Sequence, residues 1–235
     1  MGCCNETVAF RLKKVSGGNM ETEILSCCKR YGDPDADTVF LQIADKRDPE
    51  NLEEEASELS AAADRPFFLL CCSVEDWNRD LSPWPAPPVY GRDPFSGGAE
   101  QTLQNLMKRV LPALHGKTVY LGGYSLAGLF ALWAAYQTDE FCGVCAASPS
   151  VWYPGWMDYT ASHIPQTEKI YLSLGDREER AKNRVLATVG DCIRAQYALL
   201  AEQGVPSVLE WNPGNHFQDA ERRMAKGFVW LLKHS

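Results

Sequence analysis

The chain has 235 residues, 45% of them hydrophobic and 23% charged, with a formal net charge of −8. That length suits one α/β domain with a sizeable core and leaves little room for two. The acidic balance excludes the basic face of a nucleic-acid binder. No apolar run reaches the ~18 residues of a membrane helix, and the first residues lack the apolar core of a signal peptide, so a soluble cytoplasmic protein is expected.

Residues 6–15 and 21–28 have strand-like content around a Gly17-Gly18-Asn19 turn and predict an antiparallel pair. Met1-Gly-Cys-Cys4 resembles an acylation signal, but Glu6 stands where Ser or Thr is needed, so it is read as coincidence. Residues 31–37 are polar and turn-rich, residues 38–43 read as a strand, and residues 52–63 have helical composition with an acidic start. Residues 67–72 are continuously apolar after Pro66, as in a strand covered on both faces. The irregular, proline-rich stretch 73–98 carries Trp77, Trp84 and Tyr90, which argues for an ordered, functional loop. Residues 100–114 place Leu103, Leu106, Met107, Val110 and Leu111 on one helical face.

The central unit spans residues 117–135. Its first part, 118–121, reads as a buried strand; its last, 126–136, is nearly all apolar, as a buried helix would be. Between them lies Gly123-Tyr-Ser125-Leu-Ala127. A chain that turns from strand to helix within two or three residues makes a sharp corner, and a Ser there projects its hydroxyl from the sheet edge. Small residues two before and two after the Ser are required for the strand and helix to approach, and Gly123 and Ala127 are small.

Beyond it, strands are expected at 143–147, 169–174 and 207–211, with helices reaching about residue 203 and spanning 218–233. Alternating strands and helices predict a mostly parallel sheet with helices on both faces, and a site past the carboxyl ends of the strands. Nine cysteines, six of them in three vicinal pairs, without a secretory signal predict reduced thiols. Cys142 and Cys145 are expected as core residues; redox sensing through them is a minor alternative, and the absence of a second ligand pair argues against a metal site.

A Ser nucleophile needs a base, and the base needs an acid to hold its ring. Of four histidines, His234 is penultimate, His115 precedes the nucleophile strand, and His163 lies in a polar connector. His216 follows the last strand and precedes the last helix, giving the order Ser, acid, His. The acid is Glu178 or Asp176, both just after Gly175, with Glu178 favoured. The backbone N–H groups of Leu126 and of Val74, in the stretch 73–75, are the expected oxyanion donors. Trp77, Tyr124, Trp84, Trp152 and Trp156 flank the expected site and are read either as substrate-pocket walls or as loop packing.

The strings Trp77-Asn-Arg-Asp-Leu-Ser-Pro83, Gly122-Gly-Tyr-Ser-Leu-Ala-Gly-Leu-Phe130, Ala147-Ser-Pro-Ser-Val-Trp152 and Gly214-Asn-His-Phe217 resemble an esterase family of α/β-hydrolases that includes enterobactin-type siderophore esterases. The resemblance covers roughly residues 38–233, departing at Tyr124, where His is frequent. It implies an α/β-hydrolase fold with small aromatic loops in place of a large cap, Ser125 as nucleophile, His216 as base, and a Ser-Pro-Ser-x-Trp loop bordering the pocket. The activity expected is cofactor-free hydrolysis of a small-molecule carboxylic ester through an acyl-enzyme. Acyl transfer or thioester hydrolysis on the same residues, and ligand binding without catalysis, are the alternatives.

Overall fold

The strands carry the apolar content that the sequence predicts, and their order is set by parallel pairing. The computed structural model describes residues 28–45 and 49–234. Its elements are β1 (Lys29–Gly32), β2 (Thr38–Ala44), α1 (Pro49–Ala62), β3 (Phe68–Ser73), α2 (Trp77–Asp80), β4 (Pro85–Ala86), β5 (Phe95–Ser96) and α3 (Ala99–Asn105). Then come β6 (Thr118–Tyr124), α4 (Leu126–Ala135), β7 (Gly143–Ala147), α5 (Trp156–Ala161), β8 (Ile170–Gly175), α6 (Val189–Glu202), β9 (Ser207–Asn212) and α7 (Ala220–Lys233). A seven-stranded sheet runs in the order β1-β3-β2-β6-β7-β8-β9, and β4 and β5 form a two-stranded sheet of their own. Every pairing in the large sheet is parallel except β1 with β3.

The central strands β2, β3, β6 and β7 are buried along nearly their whole length because helices cover both faces, which is why they read as unbroken apolar runs. On one face, α1 and α7 pack together over Phe40, Leu69, Tyr120 and Tyr171. On the other, α4 is buried at every position from Leu126 to Ala135. Close approach is enforced by glycines. A Cβ at Gly227 of α7 would stand 2.2 Å from the Cys145 sulfur and 2.7 Å from the Tyr171 ring. Gly227→Ala is therefore expected to overpack this layer, at about 1–3 kcal/mol and a fall in melting temperature of roughly 2–4 °C per kcal/mol. Combining it with Cys145→Ala should recover part of the loss in a thermal melt, because the sulfur is the nearest obstacle.

Several expectations are corrected. The stretch 31–37 opens with the end of a strand, β1, which forms at the sheet edge by pairing with β3. The helix expected over 100–114 is ordinary only through Asn105; a wider π turn covers Leu106–Val110 and a 3₁₀ turn Leu111–Leu114, where Pro112 withholds an N–H from the ladder. Not all thiols are free: Cys28 and Cys72 form a disulfide. Its cause lies in the sheet register, which sets Lys29 opposite Cys71 and so brings Cys28 beside Cys72. Cys145 is fully buried and Cys142 partly so, both free. The strands expected at 6–15 and 21–28, and the Met1–Cys4 stretch, lie outside the described residues apart from Cys28. Among the described residues no helix is long and apolar enough to cross a membrane.

Candidate active site

Three strand ends converge at the carboxyl edge of the sheet. At the end of β6 the chain turns into α4 through Ser125, which adopts φ 59° and ψ −120°. This is left-handed backbone that a residue with a side chain adopts only under constraint, at a cost on the order of 1–3 kcal/mol. The constraint is visible on both sides. The Ser125 N–H donates to Ala147 O (3.1 Å), and the Ser125 carbonyl accepts from Leu129 N–H (3.1 Å) and Ser150 N–H (3.0 Å). Gly123 lies so close to α4 that a Cβ there would be 2.4 Å from the Ala127 backbone, while Gly122 on the opposite face lies against Phe228.

His216 follows β9 and Glu178 follows β8. The His216 Nδ1–H donates to Glu178 Oε2 at 2.7 Å, and the Ser125 hydroxyl donates to His216 Nε2 at 3.0 Å. The tautomer follows from the carboxylate, which can only accept. Glu178, not Asp176, holds the imidazole: the Asp176 side chain is half-exposed and accepts from Gly214 N–H, and Glu179 pairs with Arg194.

Glu178 is buried, and its Oε1 is held by the Ser148 hydroxyl (2.7 Å), the Gly175 N–H (2.8 Å) and the Arg223 guanidinium (2.8 Å). Burial by itself raises the pKa of this carboxyl. The hydrogen bond and charge of His216, with the bonds from Ser148 and Gly175, outweigh burial and bring it below the ordinary value. Ser148, like Ser125, has a positive φ (45°), which turns its hydroxyl loop over the end of β7.

Two clefts meet at Ser125 and His216. One, of about 350 Å³, is lined by Trp77 and Tyr124 and by the end of β2 at Ala44–Asp45. The other, of about 390 Å³, is lined by Tyr90, Trp152, Leu186 and Val189. Phe217, 90% exposed, stands between them and borders both. Trp84 and Trp156 line neither: the Trp84 indole donates to Pro154 O, the buried Trp156 indole donates to Gln196, and the two rings stack. They pack the aromatic loops onto the body.

Leu126 opens α4, where the leading N–H groups have no partner within the helix. Val74 is buried at the end of β3 and borders neither cleft. β2 lies between β3 and β6, so the backbone nearest the nucleophile strand on that side belongs to the end of β2. Sequence reasoning also missed Arg223, which reads like any basic residue of an amphipathic helix, and the role of Ser148, although the Ser-Pro-Ser string containing it stood out. Among the described residues no group of His, Cys, Asp and Glu is arranged to hold a metal ion.

Among solved structures the chain is similar to the siderophore hydrolases EstA and EstB from Aspergillus nidulans. For EstA the TM-score is 0.62 at 19% identity, covering 84% of this chain and 83% of that one; for EstB it is 0.63 at 16%, covering 87% and 85%. An enterochelin esterase from Shigella flexneri aligns with a TM-score of 0.66 at 15% identity, over 88% of this chain and 54% of that one. The chain has the α/β-hydrolase fold. No family model matches the sequence, and no curated protein does. Within the α/β-hydrolase fold, the residues at the ends of β6, β8 and β9 are those just described, and the loops after β3 and β7 supply the aromatic walls in place of a separate cap.

Proposed function

We propose that this protein is a serine hydrolase of small carboxylic esters. The observation that carries the reading is the continuous hydrogen-bonded chain from Ser125 through His216 to a buried Glu178, with Ser125 on a strained strand-to-helix corner. In this reading Ser125 Oγ attacks the ester carbonyl carbon while His216 Nε2 takes its proton. The carbonyl oxygen becomes an oxyanion facing Leu126 N–H and a second backbone donor at the carboxyl end of β2, in place of the Val74 first expected. Collapse expels the alcohol, which takes the proton from His216 and leaves an acyl-Ser125 ester. Water then repeats the sequence and releases the acid. Glu178 holds the ring in the tautomer that can accept and stabilises the imidazolium as it forms.

The two fungal proteins of similar structure are siderophore hydrolases. For this chain the two clefts support an ester with one apolar half, seated against Tyr90, Trp152 and Phe217. Each methylene added to that half and buried there is worth about 0.8 kcal/mol, or roughly a fourfold gain in kcat/KM, until the cleft is full. Trp152→Ala is expected to flatten that rise in a series from acetate to hexanoate esters, with little effect on acetate.

The test of the whole reading is labelling with a fluorophosphonate. One equivalent is expected on Ser125, located by peptide mass spectrometry, and none on Ser125→Ala. Folded protein that takes up no probe and turns over no member of an ester panel would overturn it.

A further inference from the structure

The largest buried charge near the site has no role in the steps above. Arg223, in the first turns of α7, is 1% exposed. Its Nη1 donates to Glu178 Oε1 (2.8 Å) and reaches Ser148 Oγ (3.0 Å) and Tyr124 Oη (3.1 Å). Its Nη2 donates to the carbonyls of Asn215 (2.9 Å) and Pro213 (3.3 Å), in the loop that ends at His216. Tyr124, the neighbour of Ser125, donates its own hydroxyl to the His216 carbonyl at 2.8 Å. One planar guanidinium thus touches the acid, the loop carrying the base, and the residue next to the nucleophile. Burying an arginine this deeply is costly unless its donors are used; here Nε finds no partner, and both Nη atoms are used on elements that bear the three reacting side chains.

We infer that Arg223 is a positioning residue for the His216–Glu178 pair: it locks the carboxylate and the histidine loop into one hydrogen-bonded unit. The inference rests on the serine-hydrolase reading for its kinetic part, though not for its structural part. The chemistry is specific to the fork: its two Nη atoms reach Glu178 Oε1 and the carbonyls of Pro213 and Asn215, and leave Oε2 to the imidazole.

Lysine can supply the charge but not a planar fork that spans Glu178 and two loop carbonyls. The test therefore compares Arg223→Lys and Arg223→Met with wild type by NMR of labelled histidine, which needs no turnover: the far-downfield Nδ1–H proton that reports the 2.7 Å bond to Glu178 should be lost in Arg223→Met and weakened in Arg223→Lys, since neither side chain presents the fork. Kinetics per fluorophosphonate-titrated site should show kcat down about 10–100-fold in Arg223→Met and about 10-fold in Arg223→Lys, with KM changed less than about threefold. A wild-type Nδ1–H signal in folded Arg223→Met overturns the positioning role. Full per-site kcat in Arg223→Lys overturns it too, and that variant carries the test if Arg223→Met does not fold. Absence of probe labelling in wild type would sink the hydrolase reading instead, and the Nδ1–H signal would still decide the place of Arg223.

Discussion

Ser125→Ala is expected to lower ester turnover by at least about 10⁴-fold, to the rate that binding and oxyanion contacts alone sustain. The reason is local. The hydroxyl is the one group at the junction of the two clefts that both touches His216 Nε2 and sits at a corner facing an open helix start. Ser125→Gly should be equally inactive, but the two variants should differ in stability. Alanine inherits the strained φ of 59°, whereas glycine adopts it freely. Glycine gives back part of that gain through its larger unfolded-state entropy, so Ser125→Gly should exceed Ser125→Ala by about 1 kcal/mol. In paired thermal melts this is a separation of roughly 2–4 °C. Equal melting temperatures would mean that the corner is not strained.

Glu178→Gln should cost about 10³–10⁴-fold in kcat with the fold intact. Three donors converge on Oε1, from Ser148, Gly175 and Arg223. The amide of a glutamine must therefore turn its oxygen to them and its NH₂ to His216. The imidazole can answer only by accepting at Nδ1, which places the proton on Nε2 and leaves nothing to receive the Ser125 hydrogen. The same substitution has a signature in stability. The folded-state pKa of Glu178 lies below its unfolded value, so its ionised form stabilises the fold above the ordinary glutamate range near 4.5. That contribution is lost as pH falls through the folded pKa. Wild type should lose stability on acidification below about pH 4.5, and Glu178→Gln should lose less over the same window in denaturant melts. Parallel acid limbs for the two proteins would contradict the assignment.

Much of this site was legible because its strongest signals are local. The small residues around Ser125 fit only a tight strand-to-helix turn, and the loops after the last two parallel strands had to open on the same edge. What was illegible depends on spatial neighbours. Val74 was a reasonable choice of oxyanion donor only if chain order matched strand order. The sheet instead runs β3-β2-β6, so the strand nearest in sequence before the nucleophile is not its neighbour. The Cys28–Cys72 bond arises from a register across an edge strand whose four residues, Lys-Arg-Tyr-Gly, carry little signal of their own. Trp84 and Trp156 resembled Trp77 and Trp152 as exposed loop aromatics, and only packing separates the stacked pair from the two that border the clefts. Arg223 was hidden by helical periodicity, which records that a face is buried but not what a charge on that face meets.

The helix that follows Ser125 has no wet side. It can neither roll nor slide without disturbing neighbours in every direction, so the aim of the hydroxyl is set when the interior assembles, before any ligand arrives. The segments after β3 and β7 carry the cleft-lining aromatics Trp77, Tyr90 and Trp152, while Ser148 and Ser150 of the second segment belong to the reacting corner itself. What is accepted can therefore be retuned one aromatic at a time, whereas grafting the second segment whole would unseat the corner.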